Sequence, residues 1–214
     1  MKYEFSNMAP AERYRLLVNT VTPRPIAWVV SRNEDGLLNC APYSFFNVLG
    51  SDPPLCVLGI GQRAEGDPKD TARNILATGE YTINLVKSAD ARAMVDSGVD
   101  APRDVSELDV LGIETKPADH VSVPLIASAP VSLECRLWKA IDTGGNFHIM
   151  LGEIVAIHID DEFLSGPPER PRIDGAALDL IGRSHGSANF LRGTDLFEEP
   201  RVTWPLPDRT LKKD

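Results

Sequence analysis

A mainly β fold, closed into a barrel or sandwich and edged by short helices, is what this 214-residue sequence predicts. Three observations carry the prediction. Apolar runs of strand length recur along the chain with Gly- and Pro-containing connections between them. Strand and helix patterns do not alternate regularly, which argues against a doubly wound parallel sheet. Two long runs, over 131–140 and 147–159, are joined by Asp142-Thr143-Gly144-Gly145-Asn146, a connection with hairpin chemistry.

Taken in order, residues 10–18 read as a lead-in helix. Pro23-Arg24-Pro25 is a stiff corner holding one guanidinium, because each proline fixes its φ. Strands follow over 26–31 and 37–41, linked by Asn33-Glu34-Asp35-Gly36, whose Asp-Gly supplies the positive φ of a tight turn. Ala41-Pro42-Tyr43-Ser44-Phe45-Phe46-Asn47 then runs toward Ser51-Asp52-Pro53-Pro54. Strands over 55–59 and 81–86 flank a helix in which Asp67 is the cap, Pro68 lies in the first turn, and Gly79 is the stop. Ala72, Ile75 and Leu76 make its buried face. Helix is expected again over 89–95, a loop over 100–106 and a further helical turn over 107–111. From Phe163 onward, prolines at 167, 168, 171, 205 and 207 interrupt any regular element, while Ile173, Leu178, Leu180, Phe190, Leu196 and Phe197 remain available for packing. The expectation is one domain over 1–162 and an extension over 163–214 that wraps and does not fold alone, with 211–214 disordered.

Composition narrows the function. The formal charge of −9 repels polyphosphates and anionic membranes over most of the exterior, so nucleic-acid and membrane partners are not expected. A single phosphate is still accommodated, because one cation and a helix end act locally while distant charges are screened beyond about 8 to 10 Å. Cys40, Cys56 and Cys135 are odd in number and lie in apolar surroundings without a C-x-x-C pair, which fits reduced, buried thiols in the cytoplasm. No signal-peptide pattern or bilayer-length apolar run is present in the sequence.

The chemistry concentrates between Thr20 and Val86. Arg24 offers a planar fork of donors suited to oxyanions. Ser44, Asn47 and the aromatic residues between them mix apolar faces with donors and acceptors, as a planar heteroaromatic ligand requires; a strand running into a proline-stopped turn explains the same residues. Lys69 and the Thr71 hydroxyl stand at the start of the 67–79 helix, where unpaired amides favour a monophosphate, although Asp67 and Asp70 oppose an anion there and a capped surface helix accounts for the pattern equally. His148, early in the second long strand, has an imidazole able to orient a carboxamide or supply a proton near neutral pH, or simply to bond a neighbour. His120, His158 and His185 show no ligand spacing, so no metal is expected. No G-x-S-x-G elbow occurs, and Gly59-Ile60-Gly61 lacks the third glycine of a dinucleotide fingerprint.

The ordered set of PRPIAWV, APYSFFN, SDPP, KDT-x-RNI, TGEY and NFHIMLGEI resembles the flavin reductase-like proteins with the FMN-binding split barrel, near flavoredoxins and the reductase components of two-component flavin monooxygenases. The likeness runs from about Thr20 to Asp161 and more loosely through Arg183. It implies a six-stranded Greek-key split β-barrel, a homodimer, FMN or FAD as cofactor, NADH or NADPH as transient donor, and a partner oxygenase or other acceptor. It further implies that Arg24, Ser44, Phe45, Phe46 and Asn47 line the isoalloxazine and ribityl chain, that Lys69 and Thr71 take the phosphate, and that His148 lies near the rings. Tyr43 stands where Phe is frequent, and 181–186 replaces a usual Gly-Gly-x-x-Tyr ending, so Arg183 is carried over as a cofactor-binding candidate without a fixed role. A flavin-holding electron carrier and a flavin-free interaction module are the alternative functions.

Overall fold

The computed structural model describes residues 1–64 and 66–204. Helix α1 (Pro10–Thr20) leads into the two-residue strand β1 (Arg24–Pro25), then β2 (Ala27–Arg32), β3 (Leu38–Tyr43), β4 (Phe46–Ser51) and β5 (Pro54–Gly61). Helix α2 (Asp70–Thr78) and strand β6 (Glu80–Leu85) follow, then the short helices α3 (Ala91–Asp96) and α4 (Glu107–Leu111) and a small pair, β7 (Thr115–Lys116) with β8 (Leu125–Ile126). The long hairpin is β9 (Val131–Asp142) and β10 (Phe147–Ile159). The extension adds β11 (Leu164–Ser165), β12 (Arg172–Ile173), β13 (Ile181–Arg183) and β14 (Phe190–Arg192).

Seven of these strands form one antiparallel ribbon in the order β3-β2-β6-β9-β10-β5-β4. Its curl is evident from its contacts: inward residues of β2, β5, β6, β9 and β10, among them Val29, Leu58, Ile83, Cys135 and Met150, meet in one cluster that Ala72 and Ile75 of α2 complete. The split-barrel expectation holds, with β4 joining the strands anticipated from sequence. Strand β2 is buried on both faces, because Trp28 and Val30 enter a second cluster with Met94, Leu108 and Ile126 outside the barrel. That explains its uninterrupted apolar run, Ile26 to Val30.

Two local expectations need correction. The N-cap of α2 is Lys69, not Asp67. Pro68 is held instead in a bridge to Gln62, the Asp67 carbonyl accepts from the Arg63 amide, and the Asp67 carboxylate pairs with Arg103. Leu76 is 47% exposed, and its expected place on the buried face is taken by Asn74, which donates to Ser31 Oγ at 3.1 Å. Gly79 ends the helix as expected, at φ 72°, a left-handed conformation that favours glycine.

The extension docks on the start of the barrel. Strand β13 pairs with β1, and the Gly186 amide donates to Asn19 Oδ1 at 2.7 Å near the end of α1. Leu178 and Ile181 are buried and Phe190 packs against the second cluster, whereas Ile173, Leu196 and Phe197 are exposed in this chain. The expected disorder over 211–214 and the prolines at 205 and 207 lie outside the described residues. Cys40, Cys56 and Cys135 are buried free thiols. No described helix is long and apolar enough to cross a membrane.

Candidate functional site

The segment that joins β3 to β4 closes the split of the barrel. Gly59 N–H donates to the Phe45 carbonyl at 2.7 Å, and a side chain at residue 59 would press on Phe45 Cβ at 3.0 Å. This glycine lets the connection lie directly on β5. The Phe45 ring then stacks on Phe147 of β10, with centroids 5.4 Å apart and planes at 28°, and meets Tyr14 of α1 at 6.0 Å. Together with Tyr43, Ser44, Gln62, Lys69 and Asn146, these rings line a cleft of about 330 Å³ in which no carboxylate stands among the described residues.

At Pro42, Tyr43 and Lys69 the cleft meets a small polar recess of about 40 Å³ beside the start of α2. Lys69 is paired with Asp100 at 3.3 Å. Asp70, which argued against an anion here, is neutralised by Arg63, by Arg103 at 2.9 Å and by Arg73 at 3.4 Å. Thr71 is buried and its hydroxyl accepts from Asn39 Nδ2 at 2.8 Å. Burial raises the Tyr43 phenol well above its usual range, opposed by its hydrogen bond with Thr71. Burial likewise raises the carboxyl of Glu107, which accepts from the Cys40 amide.

The structure separates the sequence-nominated residues into groups. Ser44, Phe45 and Lys69 share the cleft, and Thr71 lines the adjoining recess. Arg24 is buried behind them, donating to Ser44 Oγ at 3.3 Å and to the Val18 and Val21 carbonyls at 2.8 and 2.6 Å. It therefore fastens the end of α1 to the cleft wall. Burial lowers its pKa; Tyr14 opposes this shift and the neighbouring Arg183 adds to it. Phe46 is 8% exposed and belongs to the barrel core, while Asn47 is exposed and caps its neighbour's amide. Arg183 lies in an adjoining chamber.

His148 is turned away from the cleft. It pairs in register with Ile60, a fully buried inward residue, whereas Phe147 pairs with Gly61 on the cleft face. Directly opposed residues share a face and successive residues alternate, so the imidazole points inward. Its Nε2 is buried without a hydrogen-bond partner among the described residues. Sequence reasoning settled on this histidine and overlooked Phe147, Tyr14, Gln62 and Asn146. Strand alternation about the Gly-Gly hairpin could have found Phe147, but nothing local marks Tyr14.

One cluster with metal-ligand character also emerges. Ligand atoms of Asp119, Glu134 and His158 lie within 4.8 Å of one another, an association that sequence spacing conceals. Both Glu134 oxygens are already engaged, by His158 Nε2 at 2.6 Å and by the amides of Asp119, His120 and Val121. The cluster serves as a hydrogen-bonded tie for the 119–121 loop.

Comparison with known proteins agrees with this architecture. An uncharacterised protein of Deinococcus radiodurans is 41% identical over 94% of this chain and 90% of its own. The structure of 2-nitrobenzoate 2-nitroreductase NbaA from Pseudomonas fluorescens superposes with a TM-score of 0.85 at 34% identity, covering 98% of this chain and 100% of that one. Nitrilotriacetate monooxygenase component B from Bacillus cereus superposes at 0.84 with 28% identity, covering 94% and 98%. The family model described as "Flavin reductase like domain" matches residues 19–169, most of the chain, and the protein belongs to that family.

Proposed function

We propose that the cleft binds FMN and that the protein is an NAD(P)H-dependent flavin reductase serving a partner oxygenase or another acceptor. The observation that carries this reading is the continuity of a ring-sized, aromatic-walled cleft with a cation-bearing recess at the start of α2. Phe45, Phe147 and Tyr14 offer apolar faces to a planar heteroaromatic, and Ser44, Gln62 and Asn146 offer edge donors and acceptors. Lys69 and the first-turn amides of α2 suit one phosphate, with the Thr71 hydroxyl beside them. The recess is small, about 40 Å³, which suits a ligand with one phosphate better than one with two, so FMN fits better than FAD.

The flavin would supply the hydride-accepting centre. The protein's part is to hold the ring between its aromatic walls, keep water from it and fix the phosphate. Arg24 acts as a positioning residue through Ser44 and α1. Membership of the flavin reductase-like family supports the reductase assignment, and similarity to a monooxygenase component supports an oxygenase partner. Exposed Val48 and Leu49 on edge strand β4 support a homodimer, and unpaired thiols support a cytoplasmic setting.

Lys69→Ala is expected to weaken FMN about 10- to 100-fold by fluorescence titration, the effect of losing a charge-assisted hydrogen bond, and to leave riboflavin affinity unchanged. Equal losses for both ligands would end the phosphate assignment. In anaerobic stopped-flow mixing, NADH or NADPH should bleach the bound flavin; a flavin-loaded protein that neither donor reduces is a carrier. Because its ring faces inward, His148→Ala should leave the reduction rate near wild type. Loss of a general acid would cost about a hundredfold or more and would return His148 to the chemistry.

A further inference from the structure

Across the wall formed by Tyr43 and Ser44 lies a second chamber of about 390 Å³, within the usual range for small-molecule sites. Met94 and Val95 of α3 line one side, and Arg183 and Phe190 of the extension line another. The Arg183 guanidinium carbon stands 4.8 Å from the Phe190 ring centroid, and Nη2 donates to the Ser187 carbonyl at 2.5 Å. An arginine fork has five N–H donors, so most remain for a ligand.

The charge distribution selects the ligand. No Asp or Glu among the described residues lines this chamber. Among the described residues, neither Arg183 nor Arg24, its partner in the β1–β13 register, forms an ion pair with a carboxylate. Acidic side chains outnumber basic ones by 31 to 22 in this chain, so two adjacent guanidiniums without a counter-charge leave a local demand for an anion. Arg24 is already committed to carbonyls and Ser44, which leaves Arg183 as the recognising group. Pro42, Val95 and Phe190 give the mixed lining an apolar part against which a ring can rest.

We propose that this chamber binds a small aryl carboxylate, its ring against Val95 and Phe190 and its carboxylate on the Arg183 fork. Any bearing on catalysis rests on the FMN reading of the adjoining cleft, but the binding itself does not. The test uses the full chain, with and without FMN, and benzoate as the probe, followed by NMR titration. Benzoate should bind saturably without displacing FMN, and benzamide and inorganic phosphate should each bind at least about tenfold more weakly, as expected for losing a charge-assisted hydrogen bond or the apolar contact.

Arg183→Gln should weaken benzoate about tenfold or more while leaving FMN affinity unchanged. Because that change also removes a contact to Phe190, Val95→Phe provides an independent test: it fills the chamber from a half-exposed helix position and should abolish benzoate binding with Arg183 intact. Absence of saturation, competition with FMN, phosphate binding as tight as benzoate, or wild-type affinity in either variant would overturn the proposal. Failure of FMN to bind while benzoate still does would instead strike the flavin reading alone.

Discussion

Gly152→Ala is expected to destabilise the protein by about 3 kcal/mol, seen as a lowered urea midpoint with an unchanged slope. Strand β10 crosses the barrel core at Gly152, and a Cβ there would overlap the Tyr81 hydroxyl, stand 2.8 Å from Tyr81 Cζ and 3.3 Å from Cys56 Sγ. Tyr81 and Cys56 are both fully buried, so neither can swing into solvent, and close-packed cores yield little. Adding Tyr81→Phe removes the overlapping oxygen and should restore part of the loss. The coupling between the two changes is the diagnostic quantity. Simple additivity would show that the clash is relieved elsewhere.

Glu134→Ala should cost about 4 kcal/mol, because it strands three backbone donors and His158 at a fully buried site. Glu134→Gln, which keeps an acceptor but loses the charge, should cost about half as much. A pH dependence follows. Burial raises the Glu134 pKa, but the bonds from His158 and the three amides outweigh it and leave the folded value below the ordinary one. A carboxyl with a depressed folded pKa contributes stability that is present above its unfolded pKa, about 4.3, and is lost as pH falls through the folded value. Unfolding midpoints of wild type and Glu134→Gln should therefore converge on acidification below about pH 4.3. A gap that persists at lower pH would show that the charged form is not what the tie stabilises.

Much of the fold was legible in the sequence because its signals are local. The Asp142 to Asn146 hairpin, the strands beginning near Ala27, Leu38, Glu80 and Val131, and the Gly79 stop are each written within a few residues. Strand β4 was less legible, since Phe46–Ser51 holds polar and small residues and is an edge strand with most of its surface exposed. The cap of α2 was misread because Asp67 and Pro68 have the right chemistry for a helix start but are drawn into contacts with Arg103 and Gln62.

The candidate site was legible in its segments and not in its side chains. Phe45 and Lys69 do reach one cleft, yet Phe46, one residue later, enters the core, and His148 yields the cleft face to Phe147. A one-residue change of face along a strand reverses every such assignment, and the face is set by register with a distant strand. The Asp70 charge, which counted against phosphate in sequence, is cancelled by arginines 7, 3 and 33 residues away.

By itself, then, the sequence determined the β-rich architecture, the order of the family motifs and the acidic exterior, since propensity, turn chemistry and net charge reside in the chain wherever it goes. Tertiary structure alone decided which rings wall the cleft, which acids are neutralised and that Arg183 stands beside Arg24. Those properties belong to pairs of residues far apart in the chain, and only closure of the barrel and docking of the extension bring the partners within reach.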